Sequence, residues 1–225
     1  MAMRLLLINP NTSTHITQRL ASSARRALGP DDTLTAVTAQ GSPQVVRGAA
    51  DLLVANTNAL ALAHRHAAQH DAIVLAISLD GAAIPLRRQY PALLVVGMTE
   101  AALLTACLRV ERIGLLTLGA DMLPLYRDRV VEIGIASRVV AYAAPEAPAA
   151  FGADAAGVAP DLLDLLTDAC EPMRAAGAQL IVLAGAVLCG YAEALQARCA
   201  LPVLDGVYCA VRQIQSLSRN MPKPH

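Results

Sequence analysis

A chain of 225 residues, 55% hydrophobic, with 18 basic against 18 acidic side chains, can bury a large core and carries no net charge. Such a composition excludes a disordered chain, and the lack of any run of one sign excludes the basic footprint of a nucleic-acid or anionic-membrane binder. A small-molecule partner is expected, around a core that must be aliphatic because the chain has no Trp and one Phe.

The first apolar run, Arg4–Ile8, reads as a strand and leads into Asn9-Pro10-Asn11-Thr12-Ser13, which opens a helix over Thr14–Leu28. Asn, Thr and Ser at such a turn can cap the helix, and they can equally turn amides and hydroxyls toward a ligand beyond the strand end. A strand at Thr33–Thr38 and a long helical stretch at Gln44–His70 follow. His66 and His70 stand at i, i+4 without a third ligand, so solvated helix residues are expected and no metal. The strand Ala72–Ser78 ends in Ser78-Leu79-Asp80-Gly81, where Asp80 could start a turn or act as a base at the strand end. A strand at Ala92–Val96 and a helix at Thr99–Leu108 complete the first series.

The pattern then repeats. Strands are expected at Ile113–Thr117, Arg138–Tyr142, Leu180–Leu183 and Leu201–Leu204, and helices at Pro124–Ile133, Pro160–Ala176, Ala192–Cys199 and Val207–Arg219. Short unbroken apolar strands alternating with helices are the signature of an α/β protein with parallel sheets covered on both faces. Asp71-Ala-Ile-Val-Leu-Ala is echoed by Gln179-Leu-Ile-Val-Leu-Ala about 108 residues later, and other strand ends echo at similar spacing. Two similar lobes are therefore expected, 1–108 with 205–225 and 109–204, with a site in the cleft where their strand ends meet. Thr117-Leu-Gly119 and Gly185-Ala186 stand at second-lobe strand ends, the first offering a hydroxyl and the second backbone N–H donors. Asp205 reads as a helix N-cap and Tyr208 as pocket wall, while Pro145 to Gly157 reads as an exposed excursion and the residues from Met221 as a frayed tail.

Five cysteines, Cys107, Cys170, Cys189, Cys199 and Cys209, form no C-x-x-C spacing and fit reduced, buried thiols. No apolar stretch reaches the ~18 residues of a membrane span, and the N-terminal run is too short for a secretory signal, so a cytoplasmic location is expected.

The turn Asn9-Pro-Asn-Thr-Ser13, the strand ends at Ser78-Leu-Asp-Gly81 and Leu183-Ala-Gly-Ala186, and Asp205-Gly-Val-Tyr-Cys-Ala-Val211 together resemble the hydantoin racemase branch of the aspartate/glutamate racemase superfamily. The resemblance runs from Leu5 to about Arg212 and is closest at the first and last of these segments. It implies the two-lobed fold, a cyclic ureide substrate, no cofactor, and a homo-oligomer. In that branch the first turn typically reads C-F-G-D-P-G and the second G-C-A-G-M-A-G, each presenting a thiol. Here Ile77 and Gly185 stand at the matching positions, and neither can carry a proton. The residues read as substrate-binding are Asn9, Asn11, Thr12, Ser13, Thr117, Gly185 and Ala186, with Cys189, four residues past the thiol position, either joining them or lying in the core, and Asp80 and Ser78 are left for catalysis.

Three functions are compatible with that set. The first is an enzyme acting on a 5-substituted hydantoin-like ring by a hydrolytic or lyase step, thiohydantoin desulfhydration being one such reaction, with Asp80 activating water. The second is a racemase with unlike bases, Asp80 on one face of the ring and Cys189 or a water on the other. The third is a binding protein without turnover.

Overall fold

A computed structural model describes residues 2–146 and 157–220. The first half supplies strands β1 (Arg4–Asn9), β2 (Thr33–Thr38), β3 (Ala72–Leu75) and β4 (Leu94–Gly97), paired in parallel in the order β2-β1-β3-β4. The second half repeats the arrangement with β5 (Ile113–Leu116), β6 (Val139–Ala143), β7 (Leu180–Leu183) and β8 (Val203–Asp205) in the order β6-β5-β7-β8. The α/β fold and its internal repeat are thus as the sequence leads one to expect. Central strands β1, β3, β5 and β7 are buried along almost their whole length, which accounts for their unalternating apolar sequences.

Helices α1 (Thr14–Ala27), α2 (Ala49–His66), α3 (Ala83–Gln89) and α4 (Met98–Cys107) belong to the first half and α5 (Met122–Ile133), α6 (Pro160–Ala175) and α7 (Ala192–Gln196) to the second, while α8 (Gly206–Asn220) follows β8 in the chain but packs on α1, α4, β3 and β4. Helix α3 is absent from the sequence reading, which has nothing between Gly81 and Ala92; Pro85 lies in its first turn, where proline breaks no intrahelical bond. Strand β3 ends at Leu75 rather than Ser78, because the chain leaves the ladder to form a tight 3-10 turn at Ser78–Asp80. The excursion expected between Pro145 and Gly157 and the tail from Met221 fall largely outside the described residues.

The halves share an interior. One apolar cluster runs from β1, β3 and α4 into Ile113, Leu115, Val182 and Val207, while a second fills the far side of the second sheet around Leu116, Leu166 and Tyr191. Helices α4 and α8 pack together at the centre, and α8 lies also on α1. Their N-termini nearly touch: a Cβ on Gly206 would sit 2.6 Å from the Met98 carbonyl oxygen, so only glycine permits that approach. The carboxyl ends of the four central strands consequently face one cleft, the place where open parallel sheets bind ligands. Among the described residues, no helix is long and apolar enough to cross a membrane.

Candidate active site

The cleft has two arms that share Val45, Val46, Ser78 and Val187. The narrow arm, about 20 Å³, is lined by Pro10, Asn11, Ile16, Ala76, Ile77 and Ala186 besides the shared residues. That is room for little more than a water molecule. The wide arm, about 220 Å³, runs past Thr117, Gly119 and Gly185 to a mouth bearing Arg47, Asp121 and Glu146. It lies below the ~300–1,000 Å³ range of pockets for drug-sized ligands, and so suits a small ring.

At the inner end of the wide arm three hydroxyls converge. A Cβ on Gly185 would lie 3.6 Å from the Tyr126 hydroxyl, 3.7 Å from Ser78 Oγ and 3.8 Å from Thr117 Oγ1. Tyr126 comes from α5 and is fully buried, yet its hydroxyl makes no well-formed hydrogen bond. Burial pushes its phenol well above the usual range, with the neighbouring Asp80 charge adding to the rise and the Ser78 and Thr117 hydroxyls opposing it. The phenol oxygen is shielded from solvent and lines neither arm, so it backs the Ser78 and Thr117 hydroxyls, both of which face the wide arm. Gly185 holds the opening, with φ at +115°, a conformation that a side chain would strain.

Ser78, Thr117 and Gly185 line the wide arm, and Asn11 and Ala186, with Ser78, line the narrow one. Asn11 uses its Oδ1 internally, accepting from Asn9 Nδ2 at 2.8 Å and Ser13 N–H at 3.0 Å; the Nδ2 donors are what it retains for a ligand. Tyr126 was invisible in the sequence reading, where it is one more apolar position on a helix.

The other expected contacts take up structural work. Asn9 is wholly buried, donating to Asn11 Oδ1, the Ser13 carbonyl and Thr17 Oγ1, so it braces the turn rather than lining the cleft. Ser13 caps α1 through the Ile16 N–H, and Thr12 donates its backbone N–H to the Pro43 carbonyl. Cys189 points behind the cleft, its thiol 3.3 Å from Asp205 Oδ2. Burial, then the adjacent carboxylate, pushes that thiol far above the usual range, which makes it a poor proton carrier. Asp205 is the N-cap of α8, accepting from Val207 and Tyr208 N–H, and it also accepts from Ser23 and Gly190. Tyr208 stands 40% exposed on α8 and lines neither arm.

Asp80 requires the largest correction. Leu79 and Asp80 both adopt left-handed backbone, φ +67° and +55°, at a cost of ~1–2 kcal/mol each, and this swings the carboxylate away from the cleft. Its oxygens accept the Thr99 and Glu100 N–H groups at 3.1 and 2.7 Å, the first turn of α4. A carboxylate so placed is a cap, not a base facing a substrate. Burial raises its pKa to about 7, against the opposing pull of the two backbone donors and of Arg129, whose guanidinium stands 3.8 Å away; Glu100 adds to the rise. Arg129 also meets Glu100 at 3.2 Å and Glu132 at 3.2 Å, and Arg87 joins Glu100 from α3 at 3.1 Å. On the other side, Arg19 of α1 crosses to donate to the Val187 carbonyl at 3.1 Å and lies over the Tyr191 ring.

No group of three or more His, Cys, Asp or Glu suited to a metal occurs among the described residues. His70, expected on the solvated face of a helix, is buried beyond the end of α2, its Nδ1 2.7 Å from the His66 carbonyl.

The Asp/Glu/hydantoin racemase family model matches residues 5–214. A hydantoin racemase of Paenarthrobacter aurescens is 27% identical over 220 residues, covering 96% of this chain and 91% of that protein. The structure of an allantoin racemase from Klebsiella pneumoniae superposes with a TM-score of 0.88 at 24% identity, over 97% of this chain and 88% of the other. An allantoin racemase from Pseudomonas fluorescens gives 0.85 at 25% identity, over 99% and 98%. With nearly its whole length accounted for, two lobes and their cleft included, this chain belongs to the Asp/Glu/hydantoin racemase family.

Proposed function

We infer that the protein racemises a 5-substituted hydantoin-type ring, binding it in the wide arm and holding its developing enolate with hydroxyls rather than flanking it with two thiols. The supporting observation is the convergence of Tyr126, Ser78 and Thr117 on the open space at Gly185. In such a ring the C5 proton lies next to the C4 carbonyl, and its removal places negative charge on the C4 oxygen. Hydroxyls already placed at that oxygen stabilise the charge as it forms, the largest single contribution in many enzymes. Returning the proton to the opposite face of C5 gives the enantiomer.

The motif resemblance puts the family's thiols at Ile77 and Gly185, and of the alternative carriers Asp80 and Cys189 face elsewhere. Solvent reaching the ring through the wide arm is the carrier that remains, hydroxide taking the C5 proton and water returning one to the other face with hydroxide released. Asp80, occupied at α4, is equally withdrawn from a hydrolytic or desulfhydrating step, and racemisation is favoured because the relatives named above are racemases. Proton NMR in heavy water, with a panel of 5-substituted hydantoins and allantoin, tests the reading. Exchange of the C5 proton should accompany loss of optical rotation with the ring intact; no exchange with any member, or ring opening without it, overturns it.

A further inference from the structure

Two contacts join the turn at Ser78–Asp80 to helix α5, and they lie side by side. In the cleft Ser78 faces Tyr126; directly behind, Asp80 faces Arg129. Ser78 and Asp80 are two residues apart in one tight turn, while Tyr126 and Arg129 are three apart and so share a face of α5. The backbone between Ser78 and Asp80 passes through left-handed Leu79, a conformation that persists only when its surroundings hold it. What holds it is the Asp80 carboxylate, clamped by Thr99 and Glu100 N–H groups and lying against Arg129.

We propose that Asp80 and Arg129 are positioning residues, an ion pair spanning the two halves that sets the distance between the Ser78 and Tyr126 hydroxyls in the cleft. They touch no substrate. Pulling the turn by its carboxylate against α5 fixes where Ser78 Oγ sits relative to the phenol, and a misplacement of about 1 Å in such a constellation costs up to ~100-fold in rate. The groups facing Asp80 are Arg129 and Tyr126 from α5 and Glu100 from α4, with Arg87 of α3 and Glu132 of α5 acting through Glu100 and Arg129. The effect on turnover rests on the function proposed above; the geometric link does not.

The test uses two readouts. The first is the carbon-13 signal of the Tyr126 ring carbon bearing the hydroxyl, followed with pH in ligand-free protein, the other four tyrosines serving as controls. In the wild type this signal should shift as Asp80 titrates. In Asp80→Asn it should take a different, pH-independent value; in Arg129→Met its starting value should change and its pH step should move upward, and Arg129→Lys should restore part of the wild-type behaviour. The second is a double-mutant cycle on C5 exchange. Asp80→Asn should slow exchange roughly 10- to 100-fold in the wild type and less than about 2-fold once Ser78 is alanine. A merely structural Asp80 would add its full loss in both backgrounds, and that result overturns the proposal. So does a Tyr126 signal that ignores both Asp80→Asn and Arg129→Met. If no exchange is found with any substrate, the NMR titration still decides the geometric link. Should Asp80→Asn fail to fold, the two Arg129 variants carry both readouts.

Discussion

The carboxyl carbon of Asp80 lies where a side chain on Gly97 would have to be: a Cβ on Gly97 would come within 2.2 Å of it. Gly97 is the N-cap of α4 and has nothing to cap with, so Asp80 reaches in from another turn and supplies the missing carboxylate to the second and third N–H groups of the helix. In the second half the strand-end residue does the same work itself. Asp205 caps α8 through Val207 and Tyr208, the same two positions of that helix. The repeat thus conserves the position of a charge while changing which residue carries it.

Gly97→Ala should accordingly force Asp80 out of place. A loss of about 1–3 kcal/mol is expected from overpacking alone. In an Asp80→Ala background the same substitution should cost much less, because the space is then free. Urea unfolding of the two single variants and the double variant measures the difference, and additive losses would show that the two residues do not compete for one site.

The titration of Asp80 should move stability and activity in opposite directions. Its folded pKa of about 7 is raised from an ordinary 3.8, so between those values the folded chain keeps a proton that the unfolded chain has released. The stabilisation is complete below the lower value and is lost as pH rises through about 7, by at most ~4 kcal/mol. Ionised Asp80, by contrast, makes the stronger contact with Arg129 and the α4 amides, so turnover should rise through the same range. Urea midpoints and C5 exchange rates between about pH 5 and 8 check both slopes: Asp80→Asn should flatten the stability slope and remove the part of the rate rise that Asp80 adds to the solvent-driven one.

Tyr126→Phe separates catalysis from stability. The phenol oxygen is buried without a good partner, so its removal should leave stability unchanged or slightly raised. Loss of the phenol hydroxyl behind those of Ser78 and Thr117 should misplace both and cut turnover by up to ~100-fold. Thermal denaturation and C5 exchange report the two effects; a variant that is destabilised yet fully active would remove Tyr126 from the site.

Gly185→Cys should not create a working thiol site. At φ +115° a side chain strains the backbone by more than ~1 kcal/mol and its Cβ would enter the space bounded by the three hydroxyls. Lower stability and lower exchange are expected, read by denaturation and by NMR in heavy water. Alkylation of wild-type protein should leave exchange unaffected, since Cys189 is buried against Asp205.

Much of the scaffold is legible in the chain because it rests on strong, local signals. Unbroken apolar strands at Leu5–Ile8 and Leu180–Leu183 give parallel sheets, and their echo gives the two halves. Ser78, Thr117 and Gly185 follow from their places at strand ends. What escapes is direction. Nothing about a leucine announces a left-handed residue, so the swing of Asp80 out of the cleft is hidden, although the family pattern C-F-G-D-P-G has glycine opposite Leu79. Tyr126 escapes because a tyrosine inside an amphipathic helix has the pattern of a core residue, and only its hydroxyl environment distinguishes it. Val45, Val46 and Arg47 escape because the sequence reading carries the helix back to Gln44, whereas α2 begins at Ala49 and these residues wall the cleft from an irregular segment ahead of it.

The contact of Gly206 with the Met98 carbonyl has a consequence for the chain as a folding unit. With α4 and α8 seated on each other at the centre, neither repeat is a self-sufficient module, despite having its own four strands. A fragment ending near residue 108 would leave the α4 face that receives α8 bare, and the remainder would lack the partner for α8. Separately expressed, the two pieces should be insoluble; produced together, they should reassemble into one molecule, as a lock does only around its own key.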